Sequence, residues 1–245
     1  MSIYEDLTPG DFAKSTKKRL PICFCLDTSG SMYAPTKSGR TRMDEVNAAF
    51  GEFITSIKKN PDVNAAADIA VITFGGKAEI AQKFMPVSSM QTPEIEAKSR
   101  SLTPIGEAIL GAVALLEKRK EGYKTRGIKY YQPWLVVITD GEPEGKDAVA
   151  NMNEAIEKVT ELETQSKLVV FNIGIGDEAN LDVLKRLSLK RAAPINLQFE
   201  NIGGFFSFLG ASSESVVNGD DMEDKIYGSA EDLPKGKEIN ISEWK

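Results

Sequence analysis

Apolar residues along this chain alternate between two kinds of segment. Leu20 to Leu26 is apolar on both alternating faces, the pattern of a strand in a parallel sheet covered by helices on each side. Met43, Val46, Phe50, Phe53, Ile54 and Ile57 then recur at helical spacing. Ala67 to Phe74 predicts a second strand. Ala78 to Val87 predicts a third, joined to it through Gly75-Gly76 as a hairpin, and so an antiparallel edge strand. Past a polar stretch, Ala108, Ile109, Ala112, Val113, Leu115 and Leu116 mark a helix that starts after Thr103-Pro104. "WLVVITD" is a buried strand ending at Asp140, and Ala148 to Leu162 has helical periodicity. "KLVVFNIGIG" predicts another strand, Leu181 to Leu187 a short helix, Ile195 to Phe199 a last strand, and Phe205 to Leu209 part of a closing helix.

Strands alternating with helices predict an α/β fold: a doubly wound, mostly parallel, Rossmann-like central sheet flanked by helices, with one antiparallel edge strand. The expected organisation is a leader over 1–19, one domain over 20–211, and an acidic, flexible or loosely docked tail over 212–245. The tail could be pinned by its last apolar residues, Ile239, Ile241 and Trp244.

Composition narrows the function. The 245 residues are 41% hydrophobic and 27% charged, enough apolar content for a sizeable core. The net charge is −6, and residues 211–245 contribute nine acids against four lysines, a net of −5. The body is therefore close to neutral and presents no electrostatic case for nucleic acid. Lys17-Lys18-Arg19 and the stretch Lys118 to Lys129 are expected to be solvated surface. Histidine is absent, which excludes Ser-His-Asp and Cys-His catalysis and the usual zinc sites. Cys23 and Cys25 point to one face of a strand, about 6–7 Å apart, and read as core thiols in a reducing compartment. The N-terminus has no apolar signal region, and no apolar run approaches the ~18 residues of a membrane helix, so the expected location is the cytoplasm, with no membrane partner.

The candidate chemistry lies where strands end. "LDTSGSM" places Asp27, Ser29 and Ser31 at the end of the first strand, Asp140 follows the "WLVVIT" strand, and Thr103 precedes a helix. In a doubly wound sheet, ligands bind outside the carboxyl ends of strands where the strand order reverses. Two carboxylates and three hydroxyls are hard oxygen donors, suited to a small divalent cation with waters completing an octahedral shell. That favours Mg²⁺, with Mn²⁺ or Ca²⁺ as alternatives. The two aspartates would repel if brought together, and a divalent ion cancels both charges. In an extended D-x-S-x-S segment alternate side chains face one way, and Gly30 allows a bend. Each residue also has a plainer reading: Ser29 and Ser31 as turn residues, Thr103 as a helix cap before Pro104, Asp140-Gly141 as a turn.

The set Asp27-Thr28-Ser29-Gly30-Ser31, Thr103 and "ITDGEP" with Asp140 resembles the von Willebrand factor A (VWA) domain over roughly Leu20 to Leu209. Its D-x-S-x-S…T…D residues form the metal-ion-dependent adhesion site. "SLTPIGEAI" and "WLVVITDGEPEGKD" are most similar to the bacterial tellurite-resistance-associated, TerY-like group. The resemblance implies an intracellular interaction module. Nothing near the site suggests a catalytic base or an activated nucleophile, and there is no histidine to supply one, so the expectation is a binding module and not an enzyme, as a monomer or weak oligomer. A partner protein's Asp or Glu would complete the metal, and a protein kinase or phosphatase of a stress-response system is a candidate partner. The competing reading is a Mg²⁺-dependent phosphohydrolase of the haloacid-dehalogenase type with Asp27 as nucleophile. That chemistry wants a second carboxylic acid two residues on, where this chain has Ser29. A third reading is a scaffold with an empty site. "GIGDEA" over 174–179 matches a dinucleotide pattern, but its Asp177 and Glu178 would oppose a pyrophosphate.

Overall fold

The computed structural model describes residues 17–98, 100–176, 179–187 and 195–219. Most of the leader, most of the tail and the acids Asp177 and Glu178 lie outside the described residues. Among the described residues six strands form one sheet: β1 (Leu20–Asp27), β2 (Ala67–Gly75), β3 (Lys77–Pro86), β4 (Trp134–Thr139), β5 (Val169–Ile175) and β6 (Ile195–Leu197). Their spatial order is β3-β2-β1-β4-β5-β6. Only the β2–β3 pair is antiparallel, so the expected α/β class and antiparallel edge strand both hold. The helices are α1 (Arg42–Lys59), α2 (Pro61–Ala66), α3 (Ile105–Thr125), α4 (Ala148–Thr164), α5 (Leu181–Lys185) and α6 (Ile202–Asn218).

Every residue of β1, β2, β4 and β5 is buried, as strands covered on both faces must be. On one face Phe24, Val136 and Phe171 pack against α1, α2 and α6. Phe24 meets Phe50 and Phe53 edge-on, at centroid distances of 5.0 and 5.7 Å. On the other face Cys23, Cys25, Ala70 and Val137 pack against α3, α4 and α5. Both cysteines are free and buried, as expected for core thiols, and burial pushes the Cys25 thiol up.

Three features differ from the expectations. Helix α2 was not anticipated, although Asn60 caps it by accepting from Asp62 N and Val63 N, with Pro61 at its first position. Helix α6 runs on past Ala211 to Asn218, burying Ser212, Ser213 and Val216, because the serines sit on its packed face. Arg19, Arg119 and Lys120 are buried rather than solvated. Lys120 pairs with Glu117 at 2.6 Å, and near the starts of the strands the fully buried Asp68 supplies the counter-charge to the two arginines. It accepts from Arg19 Nε at 3.1 Å, from Arg119 Nη2 at 2.8 Å and from the Tyr123 hydroxyl.

Candidate metal centre

The strand order reverses at β1, whose connections run outward to β2 on one side while β4 flanks it on the other. These two central strands are in register, Leu26 against Ile138. Asp27 is therefore the last residue of β1, and Asp140 the first residue after β4, at neighbouring strand ends. Both are buried at 1% exposure.

A continuous run of hydrogen bonds joins them. Ser29 N–H donates to Asp27 Oδ1 at 2.7 Å, and the Thr139 hydroxyl donates to Asp27 Oδ2 at 2.5 Å. The Ser31 hydroxyl donates to Asp140 Oδ1 at 2.7 Å. A serine has one hydroxyl proton, so in the 3.0 Å contact between Ser29 Oγ and Ser31 Oγ it is Ser29 that donates. Each hydroxyl thereby gives its proton within the protein and keeps a lone pair for a cation.

The route by which Ser31 arrives differs from the expected alternation. Ser29 is extended, but Gly30–Tyr33 is a 3-10 turn that carries Ser31 around to Asp140. Gly30 serves space here, not a special backbone angle: a Cβ on it would stand 3.0 Å from Arg100 N. A Cβ on Gly75 would stand 2.5 Å from Thr28 Oγ1 and 2.6 Å from Thr28 O. The segment before α3 closes over this loop. Lys98 N–H donates to Thr28 O at 2.7 Å, Gly30 N–H to Ser101 O at 3.3 Å, and Gly76 N–H to Leu102 O at 2.7 Å.

That segment delivers Thr103, which is buried. The cap position of α3 belongs to Pro104, so the reading of Thr103 as helix cap does not hold. Its carbonyl accepts from Ile105 N and Glu144 N, both at 2.9 Å, which ties it to the loop after Asp140. Its Oγ1 lies 3.7 Å from where a Cβ on Gly141 would stand, so the hydroxyl faces the Asp140 turn. Among the described residues that hydroxyl has no hydrogen-bond partner. All five residues named from the sequence are thus assembled at one end of the sheet.

Two further residues belong to the assembly and were missed. In the sequence Thr139 reads only as strand; in the structure it holds Asp27 and also accepts from Gly141 N at 3.2 Å. Arg42 Nη1 donates to Asp140 Oδ2 at 2.8 Å, from the first position of α1. A sequence signal for Arg42 existed, because a cation in the first turn of a helix opposes the helix dipole and needs another reason to be there. Helix α1 itself starts at a capping box, with Thr41 Oγ1 accepting from Asp44 N and Asp44 accepting from Thr41 N.

The electrostatics are those of an under-compensated anion. Burial, and next the charge of Asp140, push the Asp27 carboxyl up to about 7, while the hydrogen bonds from Ser29 and Thr139 pull the other way. A divalent cation against these oxygens would cancel the repulsion, and hydroxyl and carboxylate donors fit Mg²⁺, Mn²⁺ or Ca²⁺. Among the described residues, no cluster of three or more His, Cys, Asp or Glu forms an alternative metal site.

Comparison with known proteins agrees with this architecture. The von Willebrand factor type A domain profile matches residues 22–205. No curated protein sequence matches the chain. Among solved structures, the chain is similar to the pilus adhesin SpaC of Lactobacillus rhamnosus GG, with TM-score 0.62 and 11% identity over 82% of this chain and 31% of that one. It is similar to the PilB minor pilin of Streptococcus sanguinis, with TM-score 0.59 and 12% identity over 84% of this chain and 64% of that one. It is also similar to proximal thread matrix protein 1 of the mussel byssus, with TM-score 0.53 and 14% identity over 82% of this chain and 49% of that one. The chain thus spans about half the length of that byssus protein. At these identities the likeness is one of fold. With a profile match across most of its length, the chain belongs to the von Willebrand factor type A domain family.

Proposed function

We propose that Asp27, Ser29, Ser31, Thr103 and Asp140 hold a divalent cation, Mg²⁺ with Mn²⁺ or Ca²⁺ as alternatives, and that a carboxylate from a partner protein completes its coordination. Domains of this family are in general protein–protein interaction modules. The observation that carries the metal reading is the meeting of two buried carboxylates at neighbouring strand ends with the hydroxyls of Ser29 and Ser31, and of Thr103 from the segment before α3, the hydroxyl protons of Ser31 and Thr139 being directed onto the carboxylates.

The surface around the site supports a protein partner. The exposed large apolar side chains are Tyr33 at 63%, Leu102 at 49% and Val149 at 75%, among the described residues. Tyr33 stands two residues after Ser31, Leu102 directly precedes Thr103, and Val149 lies in the first turn of α4, the helix that follows Asp140 in the chain. Apolar groups around a cation suit a partner whose Asp or Glu is flanked by apolar residues. The resemblance to the TerY-like group extends the proposal to a cytoplasmic stress-response or tellurite-resistance-like system, with a protein kinase or phosphatase as partner. No helix among the described residues is long and apolar enough to cross a membrane.

The phosphohydrolase alternative is the weaker one, because Ser29 stands where its acid–base carboxyl would be needed and hydrogen-bonds into the Asp27–Asp140 run. The test is capture of partners from a cell extract in Mg²⁺ and in EDTA, using the wild-type protein and Asp140→Ala. Partners retained in Mg²⁺ and lost in EDTA and in the variant are expected; identical recoveries in all arms would sink the proposal. Mg²⁺-dependent turnover of a phosphomonoester, lost in Asp27→Asn, would establish the enzyme instead.

A further inference from the structure

Arg42 is placed at the site by its position on α1 and by contacts with two distant parts of the chain. It opens α1, its guanidinium lies 5.2 Å from the ring centroid of Phe199, and Nη1 donates to Asp140 Oδ2 at 2.8 Å. The arginine side chain is 18% exposed and that of Asp140 is 0% exposed, so the pair is largely withdrawn from water. The neighbouring basic residue Arg40 is spent differently, on Glu45 and the Asp44 carbonyl. Nothing about helix α1 calls for a cation at its first position, since the dipole there favours anions. Arg42 has Asp140 on one side and the Phe199 ring on the other, a stacked arrangement that suits a planar guanidinium better than an ammonium.

With Ser31 on Oδ1 and Arg42 on Oδ2, both oxygens of Asp140 are engaged, and its charge is balanced from within the chain. Among the described residues Asp27 has no such cation: its partners are the Ser29 amide and the Thr139 hydroxyl. Among the described residues, the hydrogen-bonded run from Asp27 to Asp140 therefore holds two carboxylates with the permanent positive charge of Arg42 against one of them, so a divalent ion entering it meets a cation already on Asp140. Arginine cannot resolve the conflict by losing its proton at any ordinary pH.

We propose that Arg42 is a tethered counter-cation that competes with the metal for Asp140 and sets the affinity of the site. This rests on the metal reading above. In the metal-free protein Arg42 stabilises the buried Asp140; when the metal enters, Arg42 yields part of that interaction and repels the ion. The metal is consequently held weakly by the chain alone, and the incoming partner carboxylate restores the balance of charge. Arg42 thus makes metal capture and partner capture mutually dependent. The segment after β6, which supplies Phe199, is coupled to the site through the same side chain.

The test compares the wild-type protein with Arg42→Met, which keeps much of the apolar stem and removes the charge, with Arg42→Gln as a second neutral variant and Arg42→Lys as the charge-retaining control. The probe is Mn²⁺ alone, titrated calorimetrically, with thermal melts recorded with and without Mn²⁺. The neutral variants are expected to bind Mn²⁺ about tenfold or more tighter, the scale of repulsion between a monovalent and a divalent charge a few ångströms apart even in water. They should also melt at a lower temperature without metal and gain more on adding Mn²⁺, while Arg42→Lys stays within about threefold of wild type in affinity. Unchanged or weaker Mn²⁺ binding by the folded neutral variants would overturn the proposal and make Arg42 a support of Asp140. Failure of the wild type and of both neutral variants to bind Mn²⁺ would instead overturn the underlying metal reading.

Discussion

The Thr139 hydroxyl donates to Asp27 Oδ2 across 2.5 Å, joining the last residue of β4 to the last residue of β1. Thr139 Oγ1 also accepts from Gly141 N at 3.2 Å, so one side chain fixes both the Asp27 carboxylate and the turn that carries Asp140. Groups of this kind, behind the ligands, orient them and typically change metal affinity by about 10–100-fold when removed. Thr139→Val keeps the shape and deletes the donor. Its Mn²⁺ affinity, measured by calorimetry, is expected to fall by roughly tenfold or more. Affinity equal to wild type would show that Asp27 needs no such support.

Burying an uncompensated carboxylate makes the metal-free protein less stable than it could be. The Asp27 carboxyl titrates at about 7 in the folded chain, above its ordinary value, through burial and then Asp140. For a carboxyl raised in this way the destabilisation is absent below the unfolded-state value. It grows as pH rises towards about 7 and is complete above that. Asp27→Asn should therefore raise the melting temperature of the metal-free protein at pH 8, by about 2–4 °C for each kcal/mol gained, and by less at pH 5. The same variant should lose Mn²⁺ binding. An unchanged or lower melting temperature at pH 8 would refute this account of the site's electrostatics.

Gly75 lets β2 end directly against the loop that follows Asp27. A methyl group there would sit 2.5 Å from Thr28 Oγ1 and 2.8 Å from Thr28 C, and backbone cannot give way as a flexible side chain can. Gly75→Ala is expected to cost about 1–3 kcal/mol in urea denaturation. Because the strain falls on the residue between Asp27 and Ser29, Mn²⁺ affinity should fall with it. Full stability in the variant would mean that the loop relaxes freely.

At the other end of the strands, Asp68 answers two buried arginines and a buried tyrosine whose hydroxyl is held well above its usual range by burial and then by the Asp68 charge. Asp68→Ala leaves Arg119 and Arg19 without that counter-charge and is expected to cost about 3–5 kcal/mol. The milder Tyr123→Phe removes one hydrogen bond to a charged group, about 1.5–3 kcal/mol. Denaturant melts measure both. Mn²⁺ affinity of folded Tyr123→Phe should match wild type, since its partners lie away from the ligand-bearing loops; a large change would show that the two ends of the sheet are coupled.

Local patterning by itself determined the alternation of strands and helices, because burial of one or both faces imposes a period that neighbouring residues must obey. It also determined the antiparallel edge, through Gly75-Gly76, and the ligand candidates, since Asp27, Ser29 and Ser31 stand close in the chain and Thr103 and Asp140 lie at recognisable element boundaries. The extent of α6 past Ala211 was hidden, because its serines read as polar until a neighbouring face buries them. Only the tertiary structure decided that Ser31 reaches Asp140 through a 3-10 turn, that Thr139 holds Asp27, and that Arg42 and Phe199 meet beside Asp140. These are contacts between residues as much as 157 positions apart, as Arg42 and Phe199 are (199 − 42). No local period specifies such pairs; they exist because the strand order brings β1, β4 and β6 into one sheet and turns their carboxyl ends towards the same edge.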